Sequence, residues 1–183
     1  MIGYWRERFD LLRFGPAAAL VGMAAAATGD SALTTWGVDT LLALTLIAQF
    51  RLWDDLADRQ RDRRHHSDRI LATAVRIWPF VTQAVGLAAV NAALVLQLEG
   101  PTPATGLLVL NLAAAAYYAL RGSERTVGSD LMLLAKYPAF VLILSGSEPR
   151  PGRLVLAMAT TYAAACAFEV WHDASGPMRV NQS

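Results

Sequence analysis

Six long, mostly apolar stretches dominate the 183-residue sequence and limit what it can fold into. A helix needs about 20 mostly apolar residues to cross the hydrocarbon core of a bilayer, and about 17 at the least. Short polar segments such as TGDS and SGSEPRPG separate the stretches and are typical of turns. The sequence therefore predicts six membrane spans, at about residues 14–29, 36–57, 71–98, 104–121, 127–146 and 152–173.

The composition favours an all-α, multi-pass transmembrane helical bundle. Hydrophobic residues make up 55% of the chain and charged residues only 17%, whereas soluble domains carry about 25% charged residues. The net charge is +1 at pH 7, so we expect no nucleic-acid partner. No repeat or linker divides residues 1–183, which predicts a single domain, and Pro79 is expected to kink the third span.

Basic residues predict the orientation of the spans, because cytoplasmic loops are enriched in them. On one side of the predicted membrane lie Arg6, Arg8, Arg13, Arg59, Arg61, Arg63, Arg64, Arg69, Arg121, Arg125 and Arg179, and on the other only Arg150 and Arg153. Both termini should therefore face the cytoplasm. Lys136 is the only lysine, a bias typical of a GC-rich bacterial genome, so we expect the plasma membrane of a bacterium.

A stripe of carboxylates marks the end of the second predicted span, in RLWDDLADRQRD at residues 51–62. Residues at i, i+3, i+4 and i+7 share a helix face, which predicts one acidic face made of Asp54, Asp55, Asp58 and Asp62. Carboxylates placed so closely repel one another, and a hard divalent cation such as Mg²⁺ removes that repulsion. The alternative is a solvated helix end with intrahelical Asp–Arg pairs.

A second acidic pair ends the sixth predicted span. Glu169 and Asp173 are four residues apart, on the same predicted side of the membrane as the stripe. An acid within an apolar run is expensive and points to function. The two acidic faces are therefore predicted to hold two metal ions and a diphosphate between them.

Other polar residues within the predicted spans have two interpretations each. Lys136 is expected either to pair with an acid on a neighbouring helix or to contact a diphosphate, and the same two roles are open to Arg51, whose partner would be Asp55. Asn91, Gln97 and Asn111 are expected to form hydrogen bonds between helices.

These motifs resemble those of the UbiA family of intramembrane prenyltransferases. DDLADRQRD is similar to that family's NDxxDxxxD motif, EVWHD to its DxxxD motif, and YYALR, Tyr117 to Arg121, to its YxxxK element. The resemblance extends over nearly the whole chain, although the family usually has nine transmembrane helices. It implies a Mg²⁺-dependent transfer of a prenyl group from a prenyl diphosphate to an aromatic or lipid acceptor.

The resemblance also implies roles for individual residues. It assigns Mg²⁺, and through it the prenyl diphosphate, to Asp54, Asp55, Asp58 and Asp62, and a second Mg²⁺ to Glu169 and Asp173. Arg121 would contact the diphosphate, with Lys136 and Arg51 as further candidates, and Tyr117 would lie near the reacting carbon. Asp55, Asp58 and Tyr117 are thus the predicted catalytic residues.

Three other functions fit the same residues. A terpene cyclase would use the same site without an acceptor, and a non-catalytic subunit or assembly factor would keep the diphosphate site without turnover. An ion or proton transporter would use Glu169 and Lys136 as a relay. Because six spans would leave the prenyl cavity partly unwalled, we also expect contacts with lipids and either a homo-oligomer or a partner subunit.

Overall fold

The computed structural model describes residues 1–29, 32–121, 127–146 and 148–175. Every regular element in that part of the chain is a helix. The elements are α1 (Ile2–Arg8), α2 (Leu11–Ala26), α3 (Ala32–Ala57), α4 (Arg59–His65), α5 (Ile70–Thr73), α6 (Trp78–Leu98), α7 (Pro101–Leu120), α8 (Val127–Leu134), α9 (Lys136–Leu144) and α10 (Pro151–Ser175). The predicted all-α class is confirmed.

Three described helices are long and apolar enough to cross a membrane: Trp78–Leu98, Pro101–Leu120 and Pro151–Trp171. A fourth is added if Ile2–Arg8 and Leu11–Ala26, which are bent by 72°, form one span. At most 22% of the apolar window of each of the three long helices is buried inside the protein, so their remaining surface needs an apolar surrounding. A span count of six and the orientation of the termini stay predictions.

The bundle is formed by passes that alternate in direction. Where α2 and α3 cross, a Cβ added at Gly22 would lie only 2.6 Å from the Thr40 nitrogen, so the two backbones touch. The chain from Arg150 onward starts beside the end of α2, where the Arg150 N–H donates to the Thr28 carbonyl over 3.2 Å. Its later part passes α8, where the Tyr162 hydroxyl donates to the Leu131 carbonyl. The end of α10 therefore lies at the same end of the bundle as the end of α3.

The core of the bundle is centred on α3 and α9. Leu46 and Phe50 of α3 and Phe140 and Val141 of α9 are fully or almost fully buried, and Phe50 and Phe140 pack with ring centroids 5.2 Å apart. Burial of such apolar surface from water contributes to stability at roughly 25 cal/mol per Å². Within a membrane the same close packing acts through van der Waals contact.

Amide side chains join three helices inside this core. The Asn91 amide donates to the Gln49 carbonyl oxygen over 2.8 Å, and the Gln49 amide donates to Asn111 over 2.6 Å. Gln49 and Asn91 are both completely buried. The prediction of interhelical hydrogen bonds is confirmed for Asn91 and Asn111, whereas Gln97 is exposed on α6.

Two predicted spans are broken in the structure. Pro79 was expected to kink a continuous span 71–98, but that prediction is wrong, because α5 ends at Thr73 and Pro79 lies in the first turn of α6. Proline suits that position, since it lacks the N–H that a first turn leaves unpaired. The fifth span is also divided, at Ala135, into α8 and α9. This break places Lys136 at the first residue of α9.

Two acids lie at the opposite end of the bundle from the carboxylate stripe. Asp39 is only 3% exposed, and Glu99, which follows α6, lies against Gly146, where an added Cβ would be 3.3 Å from the Glu99 Oε2. Burial, together with the negative charge of Asp39, raises the pKa of Glu99 from 4.5 to about 7. The folded protein therefore holds this proton more tightly than the unfolded chain does.

This difference predicts that stability falls as the pH rises. The contribution of Glu99 is greatest below about pH 4.5 and is lost as the pH rises through about 7. We expect Glu99→Gln to flatten the decline in melting temperature between pH 5 and pH 8, measured in detergent. The matched control is Glu148→Gln, which removes the same charge from an exposed position. An unchanged slope in Glu99→Gln would contradict the assignment.

Candidate functional site

The carboxylate stripe lies across the junction of α3 and α4. The α3 helix ends at Ala57, and Asp58 precedes α4, but backbone hydrogen bonds continue through the junction. The Asp58 N–H donates to the Asp54 carbonyl and the Asp62 N–H to the Asp58 carbonyl, each over 2.9 Å. The predicted helical spacing is therefore present, yet the four carboxylates do not share one set of partners.

One group of side chains, the Asp54 cluster, consists of Asp54, Asp58, Tyr118, Arg121 and Lys136. The Asp54 carboxylate accepts hydrogen bonds from the Tyr118 hydroxyl and the Lys136 ammonium group. The Asp58 carboxylate pairs with the Arg121 guanidinium group. These partners come from the end of α7 and the start of α9. The cluster therefore joins three passes of the bundle. It includes the first of the two i, i+4 pairs of the stripe, Asp54 and Asp58, and two of the three predicted diphosphate contacts, Arg121 and Lys136.

A second group, the Asp55 latch, consists of Tyr4, Arg8, Arg51 and Asp55. The Arg8 guanidinium group donates to both Asp55 oxygens, at 2.9 and 2.7 Å, and the Tyr4 hydroxyl donates to one of them at 2.9 Å. Arg51 lies 3.5 Å from the same carboxylate, which gives the ion pair that was one of its two expected roles. Asp55 therefore connects α1 to α3, and its oxygens already have several donors.

The Tyr4 side chain is completely buried and packs edge-on against Phe80 at a centroid distance of 5.5 Å. Burial, and then the Asp55 carboxylate, raise the pKa of the Tyr4 hydroxyl. This hydroxyl consequently remains a proton donor across the physiological range, and α1 stays attached to α3.

The last carboxylate of the stripe belongs to a surface hairpin. Asp62 pairs with Arg69 at 2.6 Å, while Arg63 donates to the Ala72 carbonyl and Arg59 to the Leu71 carbonyl. These bonds hold α4 against α5. The structure therefore places Asp62 among structural contacts and does not bring it to the Asp54 cluster.

Arg121 and Arg51 each retain a buried hydrogen-bond donor. The Arg121 Nη1 and the Arg51 Nε have no hydrogen-bond partner among the described residues. A buried guanidinium donor left unpaired loses free energy, and phosphate oxygens match its planar geometry. This end of the bundle therefore has two arginine donors that can bind an anion other than the carboxylates of the stripe.

The tyrosines of α7 surround Arg121. Its guanidinium carbon lies 5.1 Å from the ring centroid of Tyr118 and 5.8 Å from that of Tyr117. Tyr117, the predicted catalytic tyrosine, is half-buried beside the cluster, whereas Tyr118 supplies the hydrogen bond to Asp54. Either tyrosine presents an aromatic face to a cation.

The second acidic pair lies on α10, which packs beside α9. Glu169 is half-buried and lies within electrostatic range of the Tyr137 hydroxyl, as does Asp54. One carboxylate of each acidic motif therefore influences the same tyrosine hydroxyl. The side chain of Asp173 lies outside the described residues.

No group of three or more acidic, histidine or cysteine side chains among the described residues converges as a metal site would. The Asp54 and Asp58 carboxylates are paired with Lys136 and Arg121. Carboxylate oxygens are the ligands that Mg²⁺ prefers. The Asp54 and Asp58 carboxylates therefore have the right chemistry to bind Mg²⁺ when Arg121 and Lys136 pair with another group instead.

Three residues at this end were not identified by the sequence: Tyr4, Arg8 and Tyr118. Tyr118 adjoins the predicted Tyr117 and lies three residues before Arg121, so an i, i+3 search along the helix would have found it. Tyr4 and Arg8 lie about 50 residues from their partner, with separations of 51 and 47, and no local pattern connects them to it.

No family model matches this chain, and neither a curated protein nor a solved structure is significantly similar to it.

Proposed function

We propose that this chain is a membrane-embedded prenyltransferase that binds a prenyl diphosphate through Mg²⁺ and transfers the prenyl group to an aromatic or lipid acceptor. The observation that carries the proposal is the Asp54 cluster, where two carboxylates meet Arg121 and Lys136 at one end of the bundle. The unpaired Arg121 Nη1 gives this cluster an additional donor for a phosphate oxygen. The resemblance of the motifs to the UbiA family supplies the reaction class.

The same residues can exchange partners when substrate enters. Arg121 and Lys136 release Asp58 and Asp54 and bind diphosphate oxygens, so that two carboxylates become available to hold Mg²⁺. Glu169 and Asp173 hold a second ion in this proposal. Bound Mg²⁺ supplies positive charge that stabilises diphosphate as a leaving group.

The remaining chemistry is assigned to groups around the cluster. The bond between the prenyl carbon and the diphosphate oxygen breaks, a nucleophilic atom of the acceptor forms the new bond to that carbon, and the proton that this atom loses passes to the departing diphosphate. Tyr117 presents its ring to the positive charge that develops on the prenyl group. Arg121 and Lys136 stay hydrogen-bonded to the departing diphosphate and stabilise its negative charge.

A non-catalytic membrane subunit is the second candidate. It is favoured by the observation that Asp54, Asp55, Asp58 and Asp62 each have a basic partner, so the stripe is electrically balanced without metal. Such a subunit would bind a lipid diphosphate without releasing pyrophosphate. A terpene cyclase would release pyrophosphate in the absence of any acceptor.

The proposed cellular setting follows from the distribution of arginines. The end of the bundle that carries the Asp54 cluster also carries the basic segment of α4, which supports a location on the cytoplasmic side of a bacterial plasma membrane as part of this proposal. The faces of α7 and α10 are mostly unburied, which leaves surface for lipids, a second copy or a partner subunit.

The direct test is release of pyrophosphate from geranyl, farnesyl or geranylgeranyl diphosphate by the purified protein, with Mg²⁺ and with EDTA. We expect Mg²⁺-dependent release that falls at least about 100-fold in Asp58→Asn, because charge stabilisation of this kind is typically worth that much. Binding of radiolabelled substrate is measured in parallel.

The matched control is Asp68→Asn, which removes one exposed carboxylate from the loop after α4 and should leave the rate unchanged. Mg²⁺-dependent binding without pyrophosphate release would favour the non-catalytic subunit. Absence of both binding and release in the folded wild-type protein would contradict the proposal, and the stripe would then be a structural ion-pair network.

A further inference from the structure

A second concave surface lies beside the first turn of α6, apart from the Asp54 cluster. It is an open groove of about 790 Å³, lined by Met1, Arg76, Trp78, Pro79, Thr82 and Gln83. Binding sites for small molecules commonly enclose about 300–1,000 Å³. The groove is therefore large enough for a headgroup and the first part of an acyl chain.

Arg76 gives this groove a positive charge. Its side chain is exposed, it is the only lining residue whose side chain is charged, and no salt bridge to it is found in the described part of the chain. An exposed arginine at the end of a membrane helix attracts anionic headgroups. The charge of the groove is thus complementary to a lipid phosphate.

Gln83 adds a hydrogen-bond acceptor. Its Oε1 atom is buried and has no hydrogen-bond partner among the described residues. The neighbouring Thr82 hydroxyl cannot supply one, because it already donates to the Trp78 carbonyl over 2.8 Å. An amide oxygen in this state is satisfied by a ligand that brings a hydroxyl or other donor.

The position of the groove matches the boundary of a membrane. Trp78 is the first residue of one of the helices that are long and apolar enough to span a bilayer. It is 73% exposed, and the nearby Val75 is 96% exposed. Tryptophan and arginine at the end of such a helix are typical of the headgroup level, so the groove opens where phospholipid headgroups lie.

We propose that this groove binds an anionic glycerophospholipid whose headgroup carries hydroxyl groups. The phosphate pairs with Arg76, a headgroup hydroxyl donates to the Gln83 Oε1, and an acyl chain follows Trp78 and Pro79. A phosphatidylcholine headgroup fits less well, because it is neutral overall and has no hydroxyl donor. The proposal does not depend on the prenyltransferase function, since none of these residues belongs to the Asp54 cluster.

Native mass spectrometry of the delipidated full-length protein in neutral detergent tests this proposal. The probes are phosphatidylglycerol and phosphatidylcholine with identical acyl chains. We expect the wild-type protein to retain phosphatidylglycerol preferentially, and Arg76→Gln to weaken that lipid's binding about fivefold, as loss of one interfacial charge predicts. Gln83→Leu should weaken phosphatidylglycerol alone, whereas Trp78→Ala should weaken both lipids.

The matched control for Arg76 is Arg64→Gln, because Arg64 is also an exposed arginine, lies on α4 and does not line the groove. Asp68→Asn, which changes an exposed carboxylate outside the groove, provides a second control and should bind phosphatidylglycerol as the wild-type protein does. If Arg64→Gln weakened binding as much as Arg76→Gln, the lipid would be held by general surface charge and the proposal would be wrong. Equal retention of the two lipids by the wild-type protein would overturn it as well.

Discussion

Replacing Lys136 with methionine should lower the free energy of unfolding by about 3–5 kcal/mol, because it leaves the Asp54 carboxylate without its cation. Asp54 is only 6% exposed, and the Tyr118 hydroxyl that also contacts it carries no charge. Thermal unfolding in detergent, followed by tryptophan fluorescence, measures the loss. Lys136→Arg, which keeps the charge, should lose much less.

A second substitution separates the structural role of the Asp54–Lys136 ion pair from its proposed role in the reaction. Adding Asp54→Asn to Lys136→Met removes both charges, and we expect it to restore most of the lost stability, since a buried ion pair replaced as a whole is often nearly neutral. Mg²⁺-dependent pyrophosphate release should nevertheless be abolished in the double variant, because both proposed binding groups are missing. Recovery of both stability and release would show that the pair takes no part in the reaction.

Replacing Arg8 with alanine should release α1 from the bundle. Arg8 makes two hydrogen bonds to Asp55, at 2.9 and 2.7 Å, and breaking a largely buried pair of this kind costs about 3–5 kcal/mol. The α1 helix has only seven residues, too few to persist as an isolated helix in water. Its backbone should therefore become accessible when Asp55 no longer holds it.

Limited trypsin digestion measures this release, because Arg6 and Arg13 lie on either side of position 8 and remain as cleavage sites in the variant. We expect cleavage at these arginines to accelerate at least about tenfold in Arg8→Ala, which corresponds to about 1.4 kcal/mol in the opening equilibrium. Asp55→Ala should have a similar effect, and the double variant should be little worse than either. The control is Arg64→Ala on α4; wild-type cleavage rates in Arg8→Ala would rule out the latch.

The structure gives Asp55 and Asp58 different contacts, although the sequence motif assigns both residues the same role. Asp55 was predicted to be catalytic, like Asp58, on the basis of spacing and resemblance. In the structure Asp58 pairs with Arg121 across the bundle, whereas Asp55 holds α1. If Asp55→Ala loses activity, trypsin digestion of the same variant must be measured as well, because release of α1 could by itself cause the loss of activity.

Local patterns were sufficient for the helical class, for the approximate bounds of the long helices and for the location of the acidic residues. Hydrophobic stretches predicted the long apolar helices, because the apolar pattern along a helix depends only on nearby residues. Span 71–98 was the clearest error, since a proline was expected inside a helix that in fact begins just before it. A proline in an apolar stretch is as compatible with the start of a helix as with a kink inside one.

The sequence by itself determined that this protein is helical, that it carries long apolar helices, and that carboxylates recur at helical spacing where α3 ends. Only the tertiary structure decided which carboxylate meets which cation. Tyr4, Tyr118 and Lys136 reach the stripe from 51, 64 and 82 residues away, and such distant pairings depend on how the passes pack. Packing divided one predicted acidic face into the Asp54 cluster and the Asp55 latch, because α1 contacts α3 at Asp55 whereas α7 and α9 contact it at Asp54.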